Sequence, residues 1–188
     1  KFERLINALL HLSRTGRQTF SFEQVDLQSL LKNIVDSVAI NIEKAGAKVT
    51  IGALPSAVAD STSIEQVFSN LIVNALTYLR NDVPGIIEIG GFVDEESEYR
   101  HYWIRDNGMG IPEVAREKVF QVFQRAHPTL AEGEGMGLAI VKRIIERHGG
   151  EIWLESEVGS GTTFHFRLAP DPTTVHGALI EEESDHGR

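Results

Sequence analysis

A carboxylate followed closely by two glycines is the stretch of this sequence best suited to bind a ligand. The run is Asp106-Asn107-Gly108-Met109-Gly110-Ile111, and it follows an alternating stretch, Tyr99 to Arg105, that predicts a β-strand. Because strand residues alternate between two faces, Asp106 shares the apolar face of Tyr102 and Ile104. A carboxylate there needs a partner, since an unpaired buried charge is costly. The glycines allow a sharp turn and a close approach of the backbone to another group.

Taken alone, the same run is also typical of an ordinary Asp-Asn-Gly turn. It indicates a ligand site only if other glycines and polar groups converge on it. Two further stretches of the sequence supply such groups.

A helix predicted from Ser63 to about Arg80 carries the first of them. At about 100° per residue, its apolar side chains fall on one face, and a narrow arc of neutral polar side chains falls on another. A solvated helix face usually carries Glu and Lys, so a row of amides is unusual. Asn70 and Asn74 are four residues apart and can present carbonyl oxygens to one point, which suits Mg²⁺. Simple surface polarity explains the arc equally well when the helix is taken in isolation. The arc comprises Ser63, Gln66, Asn70, Asn74 and Thr77.

A glycine-rich loop, Gly133-Glu134-Gly135-Met136-Gly137-Leu138, precedes a predicted helix from Leu138 to His148. Such a loop exposes free backbone N–H groups and the positive end of the helix dipole, which suit phosphate. The polar stretch from Arg125 to Gly135 has no clear period and is typical of a functional lid. His148 is interpreted as a C-terminal helix residue favourable to the dipole, not as a catalyst.

The composition is that of an ordinary globular domain. The 188 residues are 41% hydrophobic, carry a net charge of −9 and include no cysteine. This charge argues against nucleic-acid or anionic-membrane binding, and the absence of cysteine excludes disulfides and thiolate metal sites. No apolar run approaches the ~20 residues that span a bilayer, and a cytoplasmic setting is expected. The chain begins at Lys1, so we expect a fragment of a longer protein that could be membrane-anchored.

The remaining pattern predicts the elements that position these groups. An amphipathic helix is predicted over residues 1–14, ended by Thr15-Gly16, and Asp26 is a predicted N-cap for one helix from Leu27 to about Lys44. Thr62 to Glu65 matches a capping box, so Glu65 is interpreted as a helix-start residue. Phe120 and Phe123 are interpreted as core anchors. The predicted strands are Lys48 to Ile51, Ala57 to Ala59, Ile86 to Val93, Tyr99 to Arg105, Glu151 to Glu155 and Thr162 to Leu168.

Together these motifs resemble the catalytic ATP-binding domain of bacterial sensor histidine kinases. The sequences of Gln66 to Tyr78 and of Phe120 to His127 resemble those of bacteriophytochrome-type kinases in particular. The order and spacing of the motifs match over roughly residues 26 to 168. Asn70 to Ala75 resembles the N box, and Asp106 to Gly110 resembles the first glycine box. Phe120 to Phe123 resembles the aromatic F box. Gly133 to Leu138 resembles the second glycine box, and Gly159 to Thr162 resembles the closing glycine motif.

The resemblance implies an α/β (α+β) two-layer sandwich, in which helices cover one face of a mixed β-sheet and ATP lies under a mobile lid (the Bergerat fold). Residues 1–16 would be the second helix of a dimerisation and histidine-phosphotransfer hairpin. Residues 17–168 would be the catalytic domain, and residues 169–188 a disordered acidic tail or linker.

The resemblance also implies roles for individual residues. Asp106 would bind the adenine amino group, Asn74 would hold Mg²⁺, and Thr162 would support the adenine site. Gly108 and Gly110 would allow close approach of the nucleotide, and the second glycine box would offer N–H groups to the phosphates. The full set implied to bind the nucleotide is Asn70, Asn74, Thr77, Tyr78, Asp106, Gly108, Gly110, Ile111, Gly133, Gly135, Met136, Gly137, Leu138 and Thr162.

Two departures from the family pattern affect the expected activity. Thr77 stands where many members carry a basic residue, and Arg80 or Arg125 are candidate replacements. The family's phospho-acceptor histidine precedes an acidic residue on a hairpin helix that this chain lacks; His11 precedes Leu12 and is rejected. We therefore expect the chain to donate the γ-phosphate of Mg-ATP to a histidine elsewhere in a homodimeric two-component kinase, with a response regulator as partner.

Two other functions stay open at this point. ATPases of the same superfamily use a Glu one helical turn before the magnesium-binding Asn, whereas this chain has Asn70 there and no obvious general base. A nucleotide-binding regulatory module or degenerate kinase is the second alternative, which the intact glycine boxes disfavour and Thr77 favours.

Overall fold

The computed structural model describes residues 19–124 and 135–173. The predicted hairpin helix, residues 125–134 of the predicted lid and the tail beyond residue 173 lie outside this range. The elements in chain order are β1 (Phe22–Val25), α1 (Leu27–Ser37), α2 (Ala39–Lys44), β2 (Ala47–Ile51), β3 (Ala57–Asp60), α3 (Ser61–Thr77), β4 (Gly85–Val93), β5 (Arg100–Asp106), α4 (Glu113–Arg116), α5 (Gly137–Arg147), β6 (Glu151–Glu157) and β7 (Gly161–Leu168).

The main sheet has five strands in the order β2-β4-β5-β7-β6. Strand β2 runs parallel to β4, and the other neighbours are antiparallel. Strands β1 and β3 form a separate antiparallel pair. The predicted mixed sheet is therefore confirmed.

One face of the main sheet carries the core. Alternate residues of β4, β5 and β7 point into it, among them Ile89, Ile104 and Phe166, and helices α1, α3 and α5 cover them. On the opposite face of β4, Ile86 is 46% exposed and Phe92 is 55% exposed. Within residues 19–124 and 135–173, helices thus cover one face of the sheet only, which confirms the two-layer architecture.

The predicted single helix from Leu27 to Lys44 is wrong. It is broken at Val38, whose φ of −105° and ψ of 14° end α1 and begin α2. The buried stripe of α1 includes Leu31 and Ile34, whereas α2 has no buried residue and Ile40 is 65% exposed. The break lets the chain leave the core once the apolar face of α1 is buried.

The predicted capping box at the start of α3 is also wrong. The N-cap is Asp60, whose Oδ1 accepts a hydrogen bond from the Ser63 backbone N–H at 2.9 Å. The helix therefore starts before Thr62, and Glu65 lies beyond the first turn with an exposed side chain. Ser63 belongs to this cap and not to the ligand-facing arc.

His148 ends α5, but not as a cation at the helix dipole. It is fully buried, its Nε2 accepts from the backbone N–H of Asp60 at 3.1 Å, and its Nδ1 lies 2.8 Å from the carbonyl of Ile144. Because a backbone N–H only donates, Nε2 is the acceptor, and Nδ1 carries the proton that is donated to Ile144. The neutral ring links the end of α5 to the start of α3.

Within residues 19–124 and 135–173, no helix combines the length and the apolar character of a membrane-spanning segment.

Candidate functional site

Asp106 lies at the end of β5, on the buried face that its strand position predicts. Its side chain is 7% exposed, and its Oδ1 accepts from the backbone N–H of Gly108 at 2.8 Å and of Thr162 at 3.3 Å. No residue that the structure describes donates to its Oδ2. Burial raises the pKa of this carboxyl to about 6, and the two N–H donors oppose that rise. The Oδ2 oxygen is therefore an acceptor available to a ligand.

Glycines surround this carboxylate because neighbouring backbone leaves no space for a side chain. A Cβ at Gly108 would lie 2.3 Å from the Tyr78 carbonyl oxygen, and one at Gly110 would lie 2.0 Å from that of Glu157. Gly110 also has a φ of +71°, which disfavours other residues. The backbone of the first glycine box is thus packed directly against the end of α3 and the turn after β6.

Asn107 and Arg80 form hydrogen bonds next to the region around Asp106, Gly108 and Thr162, which we call the Asp106 pocket. The Asn107 side chain accepts from the N–H of Ile86 at 2.8 Å and donates to the carbonyl of Pro84 at 2.9 Å. Arg80 pairs with Asp82 through two nitrogens and donates to the carbonyl of Gly159. The interpretation of Arg80 as a replacement phosphate ligand is therefore not supported, because the structure holds it beside the Asp106 pocket.

The amide face of α3 lies at the other end of the site, beside the start of α5. A Cβ at Gly137 would lie 3.4 Å from the Asn70 Oδ1, so Asn70 faces the α5 N-terminus directly. Asn70 Nδ2 is buried, and no acceptor in the described part of the chain bonds it. A buried unpaired donor is costly, so this amide indicates a missing acceptor such as a phosphate oxygen. Asn74 is half-buried one turn further along α3.

Helix α3 therefore links two polar regions. Asn70 lies beside the α5 N-terminus, while Tyr78, the C-cap of α3, accepts from the Met109 N–H at 2.9 Å next to Asp106. Eight residues of helix span about 12 Å, so the two regions suit an elongated ligand. Among the described residues no group of three or more His, Cys, Asp or Glu could hold a metal by itself. A Mg²⁺ ion here would rely on amide oxygens and on the ligand's own oxygens.

The other predicted site residues occupy different positions. Thr77 is exposed and donates its hydroxyl to the Val73 carbonyl at 2.6 Å, so it is turned back onto its own helix. Ile111 is buried beside the pocket, while Met136 and Leu138 are half-buried at the start of α5. The Gly135 carbonyl accepts from the N–H of Phe123 at 3.0 Å. Gly133 and Arg125 lie outside the described residues.

The two aromatic residues of the F box differ in burial. Phe120 packs against the core and makes an edge contact with Phe164, with ring centroids 6.3 Å apart. Phe123 is 40% exposed and has a φ of +66°, so its interpretation as a core anchor is wrong. Val119 is buried instead. The chain turns at Phe123 to bond Gly135, which moves its ring to the surface.

Sequence reasoning missed Ser156. Its Oγ accepts from the Ile111 N–H at 2.7 Å and lies 2.9 Å from both the Gly161 carbonyl and the Thr162 hydroxyl. The available signal was its position, because Ser156 shares strand parity with the core residues Ile152 and Leu154. A hydroxyl at an inward strand position requires buried partners.

We expect the raised pKa of Asp106 to appear in the stability of the nucleotide-free domain. The folded-state value of about 6 exceeds the ordinary 3.8, so the folded state holds this proton more tightly than the unfolded state. The contribution is complete below pH about 4 and is lost as pH rises through 6, by about 3 kcal/mol. Denaturant unfolding of wild type and Asp106→Asn between pH 4 and 8 measures it. A free-energy difference between the two proteins that does not vary with pH would contradict the assignment.

Comparison with known proteins identifies the family. Residues 59–172 match the family model described as histidine kinase-, DNA gyrase B- and HSP90-like ATPase. The match covers more than half of the chain, which therefore belongs to this family of ATP-binding domains. Within the family, the chain corresponds to the ATP-binding catalytic domain of histidine kinases, as the following relatives and structures indicate.

The similar curated proteins are longer than this chain. Cyanobacterial phytochrome B of a Nostoc species is 42% identical over 172 residues, which cover 89% of this chain and 22% of the relative. The sensor histidine kinase WalK of Bacillus subtilis is 35% identical over 174 residues, which cover 88% of this chain and 28% of WalK. The chain thus spans less than a third of either relative.

Solved structures share the fold. Full-length ShkA in complex with AMPPNP superimposes with a TM-score of 0.74 at 25% identity, covering 89% of this chain and 36% of ShkA. The catalytic domain of histidine kinase ThkA has a TM-score of 0.70 at 28% identity, and the match covers 82% of this chain and 99% of the ThkA domain. ThkA in complex with the response regulator protein TrrA has a TM-score of 0.70 at 25% identity, and the match covers 92% of this chain and 49% of the ThkA chain.

Proposed function

We propose that this domain binds ATP with Mg²⁺ and donates the γ-phosphoryl group to a histidine on a segment outside the chain. One arrangement carries the proposal: α3 lines both the pocket of Asp106 and the α5 N-terminus beside Asn70. A single elongated ligand with a hydrogen-bonding base at one end and phosphates at the other fits this arrangement.

The base end is the pocket of Asp106. The Oδ2 of Asp106 receives no hydrogen bond from the described residues, and the Asp106 side chain is 7% exposed. A planar base that offers an exocyclic amino donor satisfies this oxygen, and burial strengthens the bond by excluding water. Adenine has such a donor, which supports ATP as the nucleotide.

The phosphate end is the start of α5, where Gly137 and Leu138 have backbone N–H groups in the first helical turn. The positive end of the helix dipole adds to their attraction for anions. Asn70 Nδ2 is an additional donor that bonds none of the residues the structure describes. We infer that Asn74 holds Mg²⁺ by its amide oxygen, and the ion, when bound, would neutralise charge on the phosphates.

In the transfer step, a histidine nitrogen would attack the γ-phosphorus and a new N–P bond would form. The bond from that phosphorus to the oxygen bridging the β- and γ-phosphates would break, and ADP would leave with the electron pair. The domain would contribute mainly by positioning the phosphates, since none of the site residues described here acts as a base.

The two alternatives are less well supported. Hydrolysis needs a group that activates water, and the position one turn before Asn74 is an amide, Asn70. A module that binds nucleotide without transferring phosphate agrees with the inward-turned Thr77 hydroxyl, which supplies no charge to a phosphate. Retention of binding without transfer to a histidine hairpin would identify that case.

Partners follow from the proposed reaction. We infer that the acceptor histidine lies on a helical hairpin of the same or a sister subunit in a homodimer, and that a response regulator takes the phosphoryl group. The complex of ThkA with TrrA supports the second inference by structural likeness. The cytoplasmic location stays a prediction.

Calorimetry of ATP binding with and without Mg²⁺ tests the proposal. We expect the wild type to bind more tightly with Mg²⁺, and Asn74→Ala to lose most of that difference, because its amide oxygen is the proposed ligand. The loss should be roughly tenfold or more in affinity. Ser69→Ala, on the same helix but outside the amide arc, is the matched control.

Absence of binding by the wild type would overturn the proposal for this domain. Binding that is equally sensitive to Mg²⁺ in Asn74→Ala would remove Asn74 as the ligand. If binding is found, addition of a histidine-containing hairpin and assay of acid-labile phosphate tests the transfer step.

A further inference from the structure

Ser156 lies beside the pocket of Asp106 and has no place in the function proposed above. It is half-buried near the end of β6, and its Oγ contacts three groups from two other segments: the Ile111 N–H, the Gly161 carbonyl and the Thr162 hydroxyl. These segments are the end of the first glycine box and the start of β7, both of which border the Asp106 pocket.

The chemistry of these three partners determines where the protons lie. A hydroxyl has one proton to donate and two lone pairs that accept. The Ile111 N–H can only donate to Ser156, and the Gly161 carbonyl can only accept from it. The proton of Ser156 therefore goes to Gly161, and the Thr162 hydroxyl must donate to Ser156. Every donor and acceptor of the Ser156 hydroxyl is then used.

This proton arrangement reaches Asp106 through the sheet register. Ser156 pairs with Thr162 across β6 and β7, and Thr162 pairs with Asp106 across β7 and β5, so the three form one cross-strand row. All three side chains have the parity of the helix-covered face. The Thr162 N–H also donates to Asp106 Oδ1 at 3.3 Å. A change at Ser156 thus reaches Asp106 through the hydroxyl and the backbone N–H of Thr162.

We propose that Ser156 is a positioning residue for base selection: it accepts a hydrogen bond from the Thr162 hydroxyl, so that Thr162 and Asp106 both offer acceptors to the bound base. A base with an amino donor at this edge fits two acceptors, and a base with an oxo group there is repelled. The proposal rests on the proposed nucleotide binding and deepens it, since it names the residue that sets the polarity of the base pocket.

Binding of ATP and of inosine triphosphate to the same proteins tests this role. The two nucleotides differ at position 6 of the purine, where one has an amino group and the other an oxo group, and at N1, which carries a proton only in inosine. Ser156→Ala frees the Thr162 hydroxyl to rotate and donate to the oxo group. We expect ATP affinity to fall roughly fivefold to tenfold and inosine triphosphate affinity to stay or rise, so that the preference for ATP shrinks.

Three further variants make the result specific. Ser156→Thr keeps the hydroxyl and should restore the preference, and Thr163→Ala, on the opposite face of β7, should leave it unchanged. Ser156→Cys keeps the size of the side chain but bonds weakly, and should shift the preference in the same direction if Ser156→Ala does not fold. Equal losses for both nucleotides in Ser156→Ala, or in Ser156→Cys, would overturn the proposal and leave Ser156 a purely structural role.

The failure of this proposal is distinguishable from failure of the function on which it rests. A wild-type protein that binds neither nucleotide overturns both. A wild-type protein that prefers ATP, beside a Ser156→Ala variant with an unchanged ratio of affinities, overturns only the role of Ser156.

Discussion

Asp106→Asn is expected to abolish measurable ATP binding, at least about 100-fold in affinity, while leaving the domain folded and at least as stable at pH 7.5. The amide oxygen of asparagine can still accept from the N–H groups of Gly108 and Thr162, so the local fold is preserved. The amide nitrogen, however, replaces the free carboxylate oxygen. The pocket then presents a donor to the adenine amino group, and two donors face each other without an acceptor.

Calorimetry for binding and denaturant unfolding for stability, both at pH 7.5, measure this result. Removal of a buried charge should raise stability at this pH, because burial raises the carboxyl pKa to about 6 and ionisation above it is unfavourable. Asp94→Asn, in the exposed loop between β4 and β5, is the control for a change in net charge. Normal ATP affinity in the Asp106→Asn variant would exclude this pocket as the base site.

Gly161→Ala is expected to destabilise the domain by about 3 kcal/mol or more, or to prevent folding. Gly161 has a φ of +114°, and a Cβ there would lie 2.0 Å from the backbone carbonyl oxygen of Asp106. That atom belongs to the last residue of the central strand β5, and moving it would disrupt the final pair of the ladder between β5 and β7. The substitution would therefore separate the two strands that form the Asp106 pocket.

Gly159→Ala is a matched control in the same turn. Gly159 has a φ of +84°, but a Cβ there meets no atom within 4 Å, so the substitution carries only the backbone strain of about 1 kcal/mol. Thermal and denaturant unfolding of the two variants measures the loss of stability in each. Gly159→Ala reports the backbone strain alone, and Gly161→Ala reports the strain plus the steric clash with the Asp106 carbonyl oxygen. Similar stabilities for both variants would show that β5 and β7 can separate enough to admit a methyl group at Gly161.

These two predictions concern one region in which function and packing share the same atoms. The carboxylate proposed to bind the base accepts hydrogen bonds from the N–H groups of Gly108 and Thr162. Gly108, Gly110 and Gly161 have no side chain, so the backbone segments that carry these N–H groups can pack closely. The site is therefore expected to respond to mutation in two ways. Substitutions of the carboxylate should remove binding and keep the fold, whereas substitutions of the glycines should remove both.

Much of this organisation could be predicted from the sequence because it depends on short-range periodicity. The alternation that places Asp106 with Tyr102 and Ile104 is a local property of a strand, and all three are buried in the structure. The apolar stripe of α3 likewise follows from its helical repeat. The mixed sheet covered on one face by helices was implied by the resemblance of the motifs to histidine kinase catalytic domains.

The partners of polar groups were decided only by the tertiary structure. Asp60 and His148 are 88 residues apart, yet they join the start of α3 to the end of α5 and displace the predicted capping box. The Thr77 hydroxyl turns back to its helix, and Arg80 pairs with Asp82. A hydroxyl or charge can bond any neighbour that the fold brings within reach, so its sequence position alone does not identify that neighbour.

Ser156 shows the physical reason most directly. Its strand parity places it inward, and that much is local. Which groups it meets depends on the register of β6 with β7 and of β7 with β5, and on the return of the Ile111 segment to the same row. The periodicity of the sequence determined which faces are buried, and the pairing of distant strands decided which buried polar atoms form hydrogen bonds with one another.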